Sequence, residues 1–232
     1  MKFILLVLWN SLLLLVLSHV PVIAQPDFVD SGRRGDSQGV KGYFNQLKFA
    51  PLKLLGPVNP GVELSYERRY KNKWSSQIAG TYLLPRAVYV PDGVDPDKKG
   101  FKIAMEQKYY LGKLAHKGKD LAGEVEYMYS HNRAAMNFGP TFFQHYKDTF
   151  ELTKHNFCLN FKFGYYTSFK RIIIDFYGGI GLQYRDATHS GRSNPQDQLA
   201  PSRHYNLPMF YNREGRSWNV NFPLGLRIGY LF

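Results

Sequence analysis

From about residue 44 to the C-terminus, apolar and polar side chains take alternate positions in segment after segment. Val62, Leu64 and Tyr66 alternate with Glu63, Ser65 and Glu67, and Phe101, Ile103 and Met105 with Lys102, Ala104 and Glu106. Phe157, Leu159, Phe161, Phe163 and Tyr165 alternate with Asn156, Cys158, Asn160, Lys162 and Gly164. The last stretch sets Trp218, Val220, Phe222, Leu224, Leu226, Ile228, Tyr230 and Phe232 against Asn219, Asn221, Pro223, Gly225, Arg227 and Gly229. A helix would spread such positions around its whole circumference, whereas a strand collects them on two opposite faces. The spacing predicts eight strands, at about 44–53, 60–70, 73–84, 100–112, 121–131, 153–167, 170–185 and 217–232. The first is the weakest, because Leu47 and Phe49 suit a strand and Pro51 does not.

The connections alternate in length. Lys71-Asn72, "KLAHKGKD" and the few residues around Ser168-Phe169 are short, while "PRAVYVPDGVDPDKK", "NRAAMNFGPTFFQHYKDTFEL" and the stretch 186–216 are long. Short turns at one end and long loops at the other predict an all-β chain, an eight-stranded antiparallel up-and-down transmembrane β-barrel.

The chain opens on Lys2, an apolar run from Phe3 to Leu17 interrupted at Asn10 and Ser11, and Val22-Ile23-Ala24. This is the layout of a cleaved secretory leader over 1–24, with a transmembrane anchor as the competing reading. No cysteine follows the expected cut, which disfavours a lipoprotein. Residues 25–43, rich in Gly, Asp, Ser and Arg, read as a flexible arm, and 44–232 as the barrel. Cys158 is the lone cysteine, so no internal disulfide stiffens the chain. No later segment has 18 consecutive apolar residues, so a membrane span has to be built from strands.

Alternation leaves open which face points inward. A soluble lipocalin-like carrier alternates too, with its apolar face inside. The leader, the long–short loop pattern and the terminal aromatic favour lipid against the apolar face, in the outer membrane of a Gram-negative bacterium. Trp218 and Tyr230 lie twelve steps apart, which on a strand tilted about 40° spans about 30 Å, close to the lipid band of such barrels. Trp74 and Tyr82 are spaced for similar roles.

The terminal strand ending in Phe232 resembles the signal read by the barrel assembly machinery of the outer membrane. The stretch 47–70, with Asn59-Pro60-Gly61 and Tyr66-Glu67-Arg68, resembles the opening hairpin of small outer-membrane β-barrel proteins of Bacteroidota. The resemblance implies a fold and a location, and brings no catalytic residues with it.

An eight-stranded barrel has room inside for side chains and little else. Glu63, Glu67, Glu106, Glu124, Glu126 and Asp175 are expected inside, facing Lys102, Lys108, Lys162, Arg227 and Arg185, as a polar network that fills the lumen rather than a general pore. The net charge of +12 gathers near the short turns, at Arg68, Arg69, Lys71, Lys73, Lys113, Lys117, Lys119, Lys170 and Arg171, with Asp120 as the local anion. Such a belt suits phosphate headgroups at the periplasmic rim and gives nucleic acid no support.

No zinc helix, nucleophile elbow or phosphate loop is present, and "THSGRS" and "PDGVDPD" lack diagnostic spacing, so no catalytic, cofactor or metal residue is assigned. Pro51 and Pro223 fall on the strands that must pair to close the barrel. A bulge there is the plain reading; a lateral opening for lipid, as in a lipid-modifying barrel enzyme, is the alternative. The expected role is structural or surface-interactive, for a monomer surrounded by outer-membrane lipid. Arg203, Tyr205, Phe210, Tyr211 and Arg213 on the longest loop are expected to meet an unknown extracellular partner.

Overall fold

The computed structural model describes residues 45–54, 59–70, 73–85, 98–111, 117–139, 145–199 and 213–232. The expected leader and arm lie outside these, as do Arg203, Tyr205, Phe210 and Tyr211. The strands are β1 (Asn45–Phe49), β2 (Gly61–Tyr70), β3 (Trp74–Leu83), β4 (Lys99–Leu111), β5 (Lys117–Gly139), β6 (Tyr146–Phe169) and β7 (Ile172–Ser190), then a two-residue β8 (Gln198–Leu199), β9 (Gly215–Asn221) and β10 (Leu224–Leu231). A single helical turn, α1 (Pro51–Leu54), follows β1.

From β1 to β7 each strand pairs antiparallel with the next in sequence. β9 and β10 both lie along β7, at 181–187 and 172–178, and together make one eighth strand interrupted at Phe222-Pro223. The Gly179 N–H donates to the Pro223 carbonyl at 2.9 Å across the interruption. β10 also pairs with β1, Leu231 opposite Gln46 and Ile228 opposite Phe49, which closes the sheet. Reciprocal bonds between Asn45 and Phe232, at 3.2 and 2.9 Å, finish the seam at the end of the chain. The fold is an all-β, closed, antiparallel barrel of eight strands in up-and-down order.

Five strand assignments need correction. The first strand stops at Phe49 rather than 53: a proline cannot donate to the ladder, and Pro51 turns the chain into α1. The eighth is broken at Pro223 for the same reason. The largest difference lies in the middle of the chain. β5 and β6 run to Gly139 and from Tyr146, so most of the expected loop between them is a long hairpin paired out to Phe138 and Tyr146. β7 likewise continues to Ser190, inside the segment expected to be loop. Period-two spacing persists there (Ala134, Met136 and Phe138; Phe150 and Leu152), but with the apolar residues on the other parity. The turn between β6 and β7 is Lys170-Arg171, with Lys170 at a φ of 54°.

Candidate functional site

The register settles the orientation. Leu159, Phe161, Leu182, Phe222 and Leu224 face outward, 62, 58, 56, 72 and 79 % exposed, while Glu67, Lys108, Lys162, Asp175 and Arg227 face inward at 2 % or less. The barrel is therefore oily outside and ionic inside. A lipocalin-like carrier needs the opposite arrangement.

Inside, the charged side chains form one continuous network. Lys48 Nζ lies 2.6 Å from Glu67 and 2.8 Å from Asp175, and Lys108 Nζ lies 2.7 Å from the same Asp175 oxygen and 3.3 Å from Glu106. Lys162 bridges Glu106, at 2.9 Å, and Glu124. Arg227 reaches Glu63 and Glu106, each at 3.2 Å. Lys102 joins Glu63 to Glu126 at 3.3 and 3.1 Å. Neutral groups tie the rest: Tyr110 donates to Glu67, and Asn160 donates to Glu124 at 2.9 Å. The Gln77 amide, oriented to match its neighbours, donates to Glu67 and accepts from Arg227. The Tyr177 ring lies under both Lys162 and Arg227, 4.5 and 4.3 Å from its centroid. Each carboxylate so desolvated is offset by a close cation, which is the condition for keeping charges in a barrel interior.

All ten residues named from the sequence (Glu63, Glu67, Lys102, Glu106, Lys108, Glu124, Glu126, Lys162, Asp175 and Arg227) occur in this network. Arg185 is also inward and buried, donating to Ser217 at 2.8 Å. Lys48 is the main residue the sequence reading missed. Its signal was present, since Gln46 and Lys48 alternate with Leu47 and Phe49, but Pro51 made the segment look unlike a strand. Two residues assigned to the rim belong inside. Asp120 is 2 % exposed, and the Arg69 guanidinium lies 4.3 Å above the Tyr110 ring. Both share their strand's inward parity, and proximity to a turn does not override it.

Toward the end bearing the long strands, both faces change character. Outward positions on β6 run Tyr165, Phe163, Phe161, Leu159, Phe157, then His155, Thr153, Glu151, Thr149 and Lys147. Those on β7 run from Ile180, Leu182 and Tyr184 to Asp186, Thr188 and Ser190. The inward positions change oppositely: beyond Ser130 and Asn132 come Ala134, Met136 and Phe138, packed with Phe150, Leu152 and Ala187 in a buried apolar cluster. Aromatic and histidine rings sit at the transition. Tyr127 lies 4.9 Å from Phe157 and bonds His155 at 2.9 Å, and Tyr184 lies 5.1 Å from Trp218. From Tyr165 to His155 is ten steps, a rise of about 25 Å on a strand tilted about 40°.

The projecting hairpin is covered by the segment after β7. Arg192 stacks 4.0 Å above the Phe138 ring, β8 pairs with Phe138-Gly139, and Tyr146 donates to Asp197 at 2.9 Å. Ser193 donates to Asp148 through its N–H and its hydroxyl, at 2.8 and 3.0 Å. Burial would raise the Asp148 carboxyl, but those bonds, the Thr149 N–H and the nearby Arg192 outweigh it and hold the group below the ordinary carboxylate value. The start of the expected long loop is thus strand and strap rather than free loop. Arg213 is exposed just before β9.

The closing seam is occupied by α1, whose Leu52 and Leu54 are exposed while Lys53 is half-buried. Among the described residues no group of three or more His, Cys, Asp or Glu is arranged to hold a metal. His189 is turned inward against the Phe150 ring, 4.3 Å away, and Ser190 is exposed on the opposite face, so the pair does not form a catalytic couple. No family model, curated protein or solved structure matches the chain.

Proposed function

We propose that this protein is an outer-membrane β-barrel whose interior is closed by ion pairs and whose projecting β5–β6–β7 sheet is a surface for recognition outside the cell. The observation that carries the reading is the double reversal of polarity at a fixed register. Below Tyr127, His155 and Tyr184 the outer face is oily and the inner face ionic; above them the outer face is polar and the inner face oily. Two solvents account for this: lipid around the lower part, and water around the upper part, which then needs an apolar core of its own. In water the lower belt would leave a contiguous apolar surface far larger than soluble proteins carry. Aromatic rings at the boundary suit a membrane interface.

The interior supports a sealed barrel. Lys48, Lys108 and Arg227 cross-link β1, β2, β4, β7 and β10 through shared carboxylates, filling the bore with bonded groups of both signs. Leader, terminal aromatic strand and the hairpin resembling Bacteroidota barrels fit export and assembly into that membrane. The projecting sheet offers Arg133, Asn137, Lys147 and Glu151 on its exposed face, with Arg213 at the mouth. A rigid scaffold carrying a polar, solvent-facing sheet suits binding of a partner at the cell surface.

The test is single-cysteine labelling of intact cells with a membrane-impermeant maleimide, in a chain whose buried Cys158 is replaced by serine. Asn137→Cys, on the projecting hairpin, is expected to label on intact cells. Lys170→Cys, in the short turn, is expected to label only after the outer membrane is opened. The reverse pattern, or equal labelling of both, contradicts the reading.

A further inference from the structure

The outer face of the barrel is not oily all the way round. From Phe157 to Tyr165 on β6, Ile172 to Leu182 on β7 and Leu224 to Tyr230 on β10, every outward position is apolar, aromatic or glycine. On the first four strands one outward row is polar: Asn45, Arg68, Ser76 and Gln107 stand side by side in the register. The Ser76 hydroxyl lies 3.0 Å from the Tyr70 hydroxyl and 2.7 Å from the Gln107 amide oxygen, and the Gln107 amide nitrogen donates to Tyr70. Two hydroxyl protons and one amide proton close this ring, which leaves the second Gln107 N–H to spare. Arg68, next in the row, is exposed.

The two rows toward the barrel centre are Leu47, Tyr66 and Ile78, then Leu64, Gly80 and Ile103. They line an apolar groove of about 340 Å³, inside the range of about 300–1,000 Å³ that ligand sites occupy. Gly80 makes the notch, since a Cβ there would meet nothing within 4 Å. Tyr66 ties the groove to the polar row by donating to Asn45 at 2.7 Å. On the other side of the polar row, toward the short turns, come Tyr70, Trp74 and Tyr109, with the last two rings 4.9 Å apart.

An oily groove that ends on spare donors and a cation fits an amphiphile. None of these rows carries a carboxylate, so Arg68 is the single charge its occupant meets. A phosphodiester is its complement: it has one negative charge, accepts hydrogen bonds and has no proton to donate. Aromatic rings beside the polar row suit the depth of a lipid headgroup. We propose that the outer face of β1–β4 binds one glycerophospholipid, its phosphodiester on Arg68 and Gln107 and one acyl chain in the groove over Gly80. The site rests on the lipid-facing exterior proposed above, and adds to it a defined place for one molecule.

The experiment is native mass spectrometry of the full chain in dodecyl maltoside, titrated with dioleoyl phosphatidylglycerol in one arm and oleate in the other. A one-to-one adduct with the phospholipid is expected. Arg68→Gln, which removes the phosphate contact, and Gly80→Leu, which fills the groove, are each expected to weaken it about tenfold or more. Lys170→Gln removes an equal charge from the β6–β7 turn and is expected to leave binding unchanged. Arg68→Gln alters only an exposed side chain and decides alone if Gly80→Leu does not fold. No phospholipid adduct, binding undiminished by either site variant, equal weakening by Lys170→Gln, or oleate bound as tightly as the phospholipid overturns the proposal. A chain that folds without detergent removes the lipid-facing reading as well; one that needs detergent and forms no adduct removes this site alone.

Discussion

Asp175 carries more of the interior than any single sequence motif suggests. One of its oxygens receives both Lys48 and Lys108, at 2.8 and 2.7 Å, so strands β1, β4 and β7 meet at one carboxylate. Removing one partner of a buried charge group leaves the others desolvated and uncompensated, a loss of about 3–5 kcal/mol. Asp175→Asn is therefore expected to lower the unfolding free energy of the refolded protein in micelles, measured by urea titration, by an amount of that order. Backbone contact gives a second contrast. A Cβ on Gly179 would sit 2.1 Å from the Phe161 carbonyl oxygen, whereas one on Gly80 meets nothing within 4 Å. Gly179→Ala is expected to impair folding, and Gly80→Ala to leave the melting temperature nearly unchanged. Most interior residues were legible beforehand, because full charges at every second position of an otherwise oily strand must gather on one face and pair there. Lys48, Arg69 and Asp120 were not, since each lies near a proline or a turn, where composition suggests solvent and only the parity of the strand shows the truth.

At the level of elements, the barrel strands were legible and the projecting sheet was not. A period of two read with apolar residues on one parity finds β2, β3, β4 and the lower parts of β5, β6 and β7. It misses their continuation because the oily residues move there from the outer parity to the inner one. Pro51 and Pro223 were visible as disturbances, but their outcome, a turn at α1 and a break between β9 and β10, depends on where neighbouring strands end. The strap over the projecting hairpin makes a pH-dependent prediction. Asp148 titrates below its ordinary value of 3.8 in the folded chain. Its contribution is therefore fully present above that value and is lost as pH falls through the depressed one. Protection from hydrogen exchange at residues 191–199, relative to the intrinsic rate at each pH, is expected to hold at pH 5 and to fall below about pH 3.8. Asp148→Asn is expected to show the lower protection already at pH 5. Protection that is the same at both pH values would mean that Asp148 does not hold the strap.

The described barrel joins an ion-paired interior to an oily exterior. The proposed seal rests on the ion pairs of Lys48, Lys108, Lys162 and Arg227, which leave no continuous water path if they fill the bore. Planar-bilayer recordings are expected to show no stable, nanosiemens-scale openings; sustained openings of that size would mean that the interior rearranges. The exterior is the more basic claim, and the two barrel tryptophans report on it. Trp74 and Trp218 both face outward, 43 and 70 % exposed, one toward the short-turn end and one toward the long-strand end. The measurement is tryptophan emission of the Trp9→Phe protein in vesicles of brominated phosphatidylcholine, compared with unbrominated vesicles. Strong quenching of both residues is expected, with single Trp74→Phe and Trp218→Phe variants each still quenched. A protein that stays folded in plain buffer, with emission that bromine on the acyl chains does not touch, would contradict a lipid-facing exterior.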